Sequence, residues 1–163
     1  MVGEMNKQVF EPSVSKMGGM DAKFAILIAY LGSIVLGFIP GVQYVAWLVP
    51  LIVFFIDKEN KFIAFHAMQS FLLGVVAGVI YIILAIIIAV AAAGAVASAA
   101  ILSGAGIGAG LAVVVIVGII TAVVGIFVLV MLIIAVVHGY KYEIYEIPLV
   151  GKWAEKIVFK TSN

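Results

Sequence analysis

Between Phe62 and Tyr140 the chain carries no Lys, Arg, Asp or Glu. At about 1.5 Å per helical residue, that stretch is long enough to cross a hydrocarbon core of about 30 Å twice, with an uncharged connection to spare. The rest of the composition agrees. Hydrophobic residues make up 66% of the sequence, charged residues only 10%, and the mean hydropathy is +1.36. Soluble domains are roughly half apolar and a quarter charged. The fold class expected is therefore an all-α integral membrane protein. A length of 163 residues leaves room for one helical membrane domain and short tails, with no second folded domain of ordinary size.

The first of the two spans reads as 62–93 and the second as 111–137, with the glycine-rich 94–110 as their connection. Upstream, Phe24 to Ile56 is also free of charge and far too long for one straight crossing. Pro40-Gly41 supplies the break, because the residue before a proline avoids the helical region and glycine tolerates a turn. Two short helices, 22–39 and 42–56, are expected. The second carries Tyr44 and Trp47, rings suited to a headgroup boundary, and Pro50 in its interior, where a kink is expected. The expected whole is a four-helix transmembrane bundle, residues 22–140, followed by a short amphipathic C-terminal helix.

Residues 1–21 precede the first apolar run. They are rich in Gly, Ser and charge, have no apolar face to bury, and read as a disordered tail. No cleavage site follows the first apolar run, which reads as a span rather than a signal peptide, and no lipidation motif is recognised. The tail at 141–163 carries Leu149, Val150, Trp153, Ala154, Ile157 and Val158 on one side of a helix and Lys152, Glu155, Lys156 and Lys160 mainly on the other. This suits a helix lying in the membrane surface with Trp153 as anchor, and also a helix packed on the ends of the bundle.

The polar turn Asp57, Lys58, Glu59, Asn60, Lys61 cannot enter hydrocarbon, where each central charge would cost about 3 kcal/mol. With four crossings, the N-terminal tail, this turn and the C-terminal tail share one side, which gathers every lysine there. Lysine excess marks the cytoplasmic face, so both termini are expected to be cytoplasmic. A re-entrant hairpin at 22–56 would distribute the charges identically; two tilted or kinked crossings are the expected arrangement, because a re-entrant loop needs protein cover and a four-helix chain provides little of it.

Composition also narrows the function classes. Nine basic and eight acidic groups give a net charge of +1, too little to attract nucleic acid or acidic substrates. All nine bases are lysine. With no cysteine there is no disulfide framework or thiolate nucleophile. The hydroxyls of Ser33, Ser70, Ser98, Ser103 and Thr121 have no charged neighbour within the spans to activate them, and no ionisable group for a proton pump lies at membrane depth. Gly104, Gly106 and Ala109 fit a GxGxxA spacing, but no strand or ribose-binding acid accompanies them, so a turn or close-packed helix start is the better reading. No enzyme and no cofactor is expected.

His66, Gln69, Ser70 and His138 form the candidate interfacial polar patch. His66 and Gln69 share a helical face, and His138 ends the fourth helix on the same membrane side. The two histidines could meet. The nearest carboxylates, Asp57, Glu59 and Glu143, lie on helix ends and do not complete a metal ligand set, so hydrogen bonding at a helix junction is the simpler role. Small residues define candidate helix-packing faces: Ala22, Ala25, Ala29, Ser33 and Gly37 on the first helix, Gly74 and Gly78 with Ala85, Ala89 and Ala93 on the third, and Gly118, Ala122 and Gly125 on the fourth.

Pro50-Leu51-Ile52-Val53, the polar turn, and Phe65-His66-Ala67-Met68-Gln69-Ser70 together resemble the motif of small membrane proteins related to the Tic-twenty component of the chloroplast inner-envelope import machinery. Phe62, His66, Ala67 and Gln69 occupy the motif positions, and the segment from Tyr140 to Pro148 is similar to the usual ending. Arginine often precedes the histidine in that family, where this chain has Phe65, and 94–110 is long for a connection. The resemblance implies a prokaryotic plasma-membrane protein and, through the plant relatives, a translocation-related role. The expected function is thus a non-enzymatic membrane component that assembles with itself or another membrane protein in the lipid bilayer. The alternative is a passive channel or small-solute transporter with His66, Gln69 and Ser70 lining an entrance, and an intramembrane enzyme is a distant third.

Overall fold

The structure, a computed structural model, describes residues 9–100 and 104–160. It is helical, with α1 at Ala22–Gly37, α2 at Val49–Ile56, α3 at Lys61–Ala100, α4 at Gly104–Tyr140 and α5 at Val150–Lys160. No strand forms among the described residues, and only isolated bridges join Val9 to Glu143 and Val14 to Asp21.

Two helices are long and apolar enough to cross a membrane. α3 has 40 residues and α4 has 37, or about 60 and 55 Å of helix. Their most apolar windows are only 11% and 6% buried, the reverse of a soluble protein's core helix. The four-span expectation holds only in this coarser form. α1 has 16 residues, and the expected helix at 42–56 is divided into two short 3-10 turns, Val42–Tyr44 and Ala46–Leu48, followed by the eight residues of α2. Pro50 lies in the first turn of α2 rather than kinking a longer helix. Its missing N–H would leave the carbonyl four residues back unbonded in a continuous helix, whereas at a helix start nothing is lost.

Helix also runs further than expected into 94–110: α3 continues to Ala100 and α4 starts at Gly104, leaving 101–103, with Ser103, outside the described residues. Gly108 and Gly110, read as part of a connection, are helical.

The chain divides into two compact units, Met1–Gly74 with Val130–Asn163, and Val75–Leu129. In the second, the outer part of α3 meets the outer part of α4 antiparallel. A Cβ added at Gly110 would stand 2.6 Å from Ala95 Cβ and 3.0 Å from the Ala91 carbonyl oxygen, and one at Gly125 would stand 3.3 Å from the Tyr81 hydroxyl. Gly110 is therefore a point of close backbone approach between the two helices. Gly110→Val should separate the pair there. Crosslinking by a short bis-maleimide of cysteines placed at Tyr81 and Gly125 in an otherwise cysteine-free chain, positions separated by the length of the tyrosine side chain, would report whether the remaining contact survives. We expect its yield to fall severalfold in Gly110→Val, and an unchanged yield would show that the approach at Gly110 is dispensable.

In the first unit, α1 packs on α2 and on the 3-10 turns. Ala22, Ala25 and Ala29 are fully buried, and Ser70 Oγ donates to the Ala29 carbonyl at 2.8 Å, so the small face of α1 receives α3. Ser33 Oγ is buried without a hydrogen-bond partner among the described residues, and Gly37 faces open space. Gly139 brings α4 against α1, since a Cβ there would stand 2.9 Å from Ile26 Cγ2.

Residues 9–21, expected to belong to a disordered tail, are tied to the polar turn and to the chain beyond α4. Asn60 Nδ2 donates to Ser13 Oγ at 3.0 Å, the Lys16 amide donates to Asp57 Oδ1 at 2.7 Å, and Ser15 Oγ donates to Asp57 Oδ2. Phe10 stacks on Phe62, which stacks in turn on Tyr142, with ring centroids 5.3 and 5.6 Å apart. Residues 1–8 lie outside the described part.

α5 divides its apolar side in two. Val150, Ala154 and Val158, spaced four apart, are buried, while Leu149, Trp153 and Ile157 are exposed. Lys61 Nζ donates to the Val158 carbonyl at 3.0 Å. The helix thus packs on its own chain and still presents an apolar edge.

Candidate functional site

The N-terminus of α3 is capped by Asn60, whose Oδ1 accepts from the Ile63 amide at 3.3 Å. Two turns of α3 then place Phe62, Phe65, His66 and Gln69 inside the first unit, all with 0 or 1% exposure. His66 and Gln69, expected at an interface, are buried, and what they touch explains why they are polar.

α4 ends in a Schellman motif: the Glu143 amide donates to the His138 carbonyl at 3.0 Å and the Tyr142 amide to the Gly139 carbonyl at 3.1 Å, with Tyr142 left-handed at φ 60°. The chain then runs extended through 143–147, burying Ile144 and Ile147. Extended backbone buried without a neighbouring strand needs other partners for its amides and carbonyls. α3 supplies them from side chains. Gln69 Nε2 donates to the Tyr145 carbonyl and Gln69 Oε1 accepts from the Ile147 amide, each at 3.0 Å. One side-chain amide thus bonds the carbonyl and the amide of residues two apart in this segment.

His66 continues the pattern one helical turn earlier. Its Nε2 stands 3.2 Å from the Glu143 carbonyl, which can only accept, so Nε2 carries the proton. Nδ1 is then an acceptor, and the Tyr30 hydroxyl 3.2 Å away donates to it. Gln69 Nε2 gives its second N–H to the Tyr30 oxygen at 3.0 Å. Every donor in the chain Gln69, Tyr30, His66, Glu143 therefore meets an acceptor. Ring edges of Phe62, Phe65 and Tyr30 enclose the imidazole.

His138 and His66 do not bond to each other. Glu143 links them, its backbone carbonyl to His66 and its carboxylate to His138 Nδ1 at 2.7 Å, while the His138 ring stacks on Tyr145 at 5.0 Å. Ser70 bonds the α1 backbone and takes no part in this network. Of the four patch residues, His66 and Gln69 are brought together, and His138 is joined through Glu143. Sequence reasoning missed Tyr30, the shared partner of both; a single phenol in the middle of a mainly apolar helix was the available signal, because a buried tyrosine hydroxyl seeks a partner. Gly151 was missed too. A Cβ there would stand 2.7 Å from Glu146 Cα and 2.9 Å from Gln69 Oε1, so α5 starts directly over the network.

Among the described residues, no group of three or more His, Asp or Glu side chains is placed to hold a metal ion. The network has its donors and acceptors mutually satisfied: the Tyr30 hydroxyl is committed to His66 Nδ1, and His66 Nε2 to the Glu143 carbonyl. It joins α1, α3 and the segment after α4.

A second polar cluster closes the same end of the unit. Asp21 caps α1, accepting from the Lys23 amide at 3.0 Å, and accepts also from the Tyr142 hydroxyl. The Tyr142 bond holds the Asp21 carboxyl below its ordinary 3.8, and burial, then the bond to Asp21, raises Tyr142 from 10.0 to about 12. A lowered acid contributes stability that is present above its unfolded pKa and lost as pH falls. A raised phenol contributes stability that is present below pH 10.0 and lost as pH rises toward 12. A fluorophore on a cysteine at exposed Val9 should therefore gain mobility at both extremes. Tyr142→Phe should abolish the alkaline limb between about pH 10 and 12. An alkaline limb that persists in Tyr142→Phe would assign it to another group.

No protein-family model matches the chain, and neither a curated protein nor a solved structure matches it.

Proposed function

We propose that the chain is a non-enzymatic integral membrane protein that assembles, with further copies or with another membrane protein, through small-residue faces of its two long helices. The observation that carries this is the open space at Gly74, Gly78 and Gly118, where an added Cβ would meet nothing within 4 Å. The close contacts that the two long helices make within the chain use other glycines, at 110, 125 and 139. Small faces in lipid permit close backbone approach, which is the main source of helix association where burial of apolar surface gives no advantage.

In this reading α3 and α4 cross the bilayer, and α1 with α2 forms a re-entrant hairpin. α1 is about 24 Å long, and the apolar stretch Ala46–Ile56 is about 17 Å even if fully helical, both short of a core of about 30 Å. The turn at 57–61 and both tails then share a lysine-rich side, assigned to the cytoplasm. The motif shared with Tic-twenty-like proteins motivates a translocation-related role and a prokaryotic plasma membrane as the specific version. Burial of His66 and Gln69 argues against the channel reading, because residues lining a solute entrance would face it.

Photo-crosslinking residues placed singly at 74, 78 and 118 of the full chain in native membranes test the assembly. Crosslinked protein species from these positions, absent from exposed Ile83 and Ile116 on the opposite faces of the same helices, are expected. Capture of no protein from any of the three would sink it.

A further inference from the structure

The polar turn segregates its charges. Asp57 is buried and bonded to Ser15 and the Lys16 amide, and Glu59 is paired with Lys16 at 2.5 Å, so both acids turn toward residues 9–21. Lys58 and Lys61 are left on the opposite side, where they line a cleft of about 260 Å³ with Phe54, Phe55, Ile157 and Val158. Among the described residues neither lysine forms an ion pair. Lys61 is held at the rim by its bond to the Val158 carbonyl. Phe55 is 65% exposed and Ile157 39% exposed, so the apolar wall opens outward beside two cations.

We propose that this cleft binds one anionic phospholipid of the bilayer, the phosphate between Lys58 and Lys61 and the upper acyl chain along Phe54, Phe55 and Ile157. The proposal rests on the membrane reading above. In that reading the turn sits at headgroup depth and Phe54 and Phe55, near the end of α2, sit just inside it. Two unpaired lysines at that depth match an anionic headgroup in sign, and the phenyl and isoleucine surface matches an acyl chain, which free phosphate does not have. The exposed edge of α5, with Trp153 and Leu149, continues the apolar surface away from the cleft. Binding there would bridge α2, α3 and α5, because residues from all three line it.

The test is native mass spectrometry of the full chain from mild detergent with added dioleoyl-phosphatidylglycerol or dioleoyl-phosphatidylcholine. One phosphatidylglycerol per chain should be retained at least tenfold more tightly than phosphatidylcholine. Lys58→Gln, whose side chain forms no ion pair among the described residues, should erase most of that preference, and Phe55→Ser should weaken both lipids. Lys152→Gln with Lys156→Gln, on the outer side of α5, should change neither. Equal retention of the two lipids, or a preference lost in the α5 variant and kept in Lys58→Gln, would overturn the site. Displacement of the lipid by millimolar inorganic phosphate would reduce it to an anion contact and overturn the acyl part. These outcomes leave the crosslinking result untouched, whereas a chain that fails to enter bilayers would remove the membrane reading itself.

Discussion

Gln69→Leu should release the segment after α4 and cost the first unit about 4 kcal/mol. Leucine fills a similar volume but offers nothing to the Tyr145 carbonyl or the Ile147 amide, both bonded by Gln69 at 3.0 Å. A buried backbone group left without a partner costs about 1–3 kcal/mol, and two are orphaned at once. The Tyr30 hydroxyl suffers less, because it still donates to His66. Ser70→Ala is the matched comparison one residue along the same helix. It removes one bond to the Ala29 carbonyl, a helical carbonyl that retains its bond within α1, so about 1 kcal/mol or less should be lost. Hydrogen exchange of detergent-solubilised protein reads the difference directly: protection at 143–147 should collapse in Gln69→Leu and persist in Ser70→Ala. Equal protection in the two variants would mean that the segment is held by the burial of Ile144 and Ile147 alone.

The importance of Gln69 was legible, and its reason was not. A glutamine and a histidine three apart, just inside an apolar helix, mark a polar patch from sequence. That the patch serves backbone more than seventy residues away depends on where an extended segment returns, and no periodicity records that return. The helix ends show the same division. The break at Pro40-Gly41 and the polar turn were readable because proline and charge act locally. The helical reach into 94–100 and 104–110 was not readable because glycine is a weak signal, each costing a helix only about 1 kcal/mol. Composition also misjudged the tail. Residues 9–21 lack an apolar face, but Phe10, Ser13, Ser15 and the Lys16 amide each meet one particular partner across a distance that composition does not describe.

The same tail supplies the second large effect. Asp57→Ala should free residues 9–21 from the polar turn, whereas Glu59→Ala should leave them in place, although both remove an acid from the same turn. Asp57 is 1% exposed and accepts two bonds, one from the Lys16 amide and one from Ser15, itself 2% exposed. Hydrogen bonds to a charged group contribute about 1.5–3 kcal/mol each, and the two donors left behind are themselves poorly hydrated, so a loss of about 3 kcal/mol is expected. Glu59 pairs with Lys16 where their side chains are 78% and 57% exposed, and water and salt replace that contact readily. The freed tail would also unload the Phe10–Phe62–Tyr142 stack, so its consequence should reach the segment after α4. Limited proteolysis with a lysine-specific protease follows both ends: cleavage after Lys16 should accelerate at least tenfold in Asp57→Ala, followed by cleavage after Lys141, and neither should change in Glu59→Ala. Rapid cleavage in Glu59→Ala with a protected Asp57→Ala would place the anchor on the surface ion pair instead of the buried carboxylate.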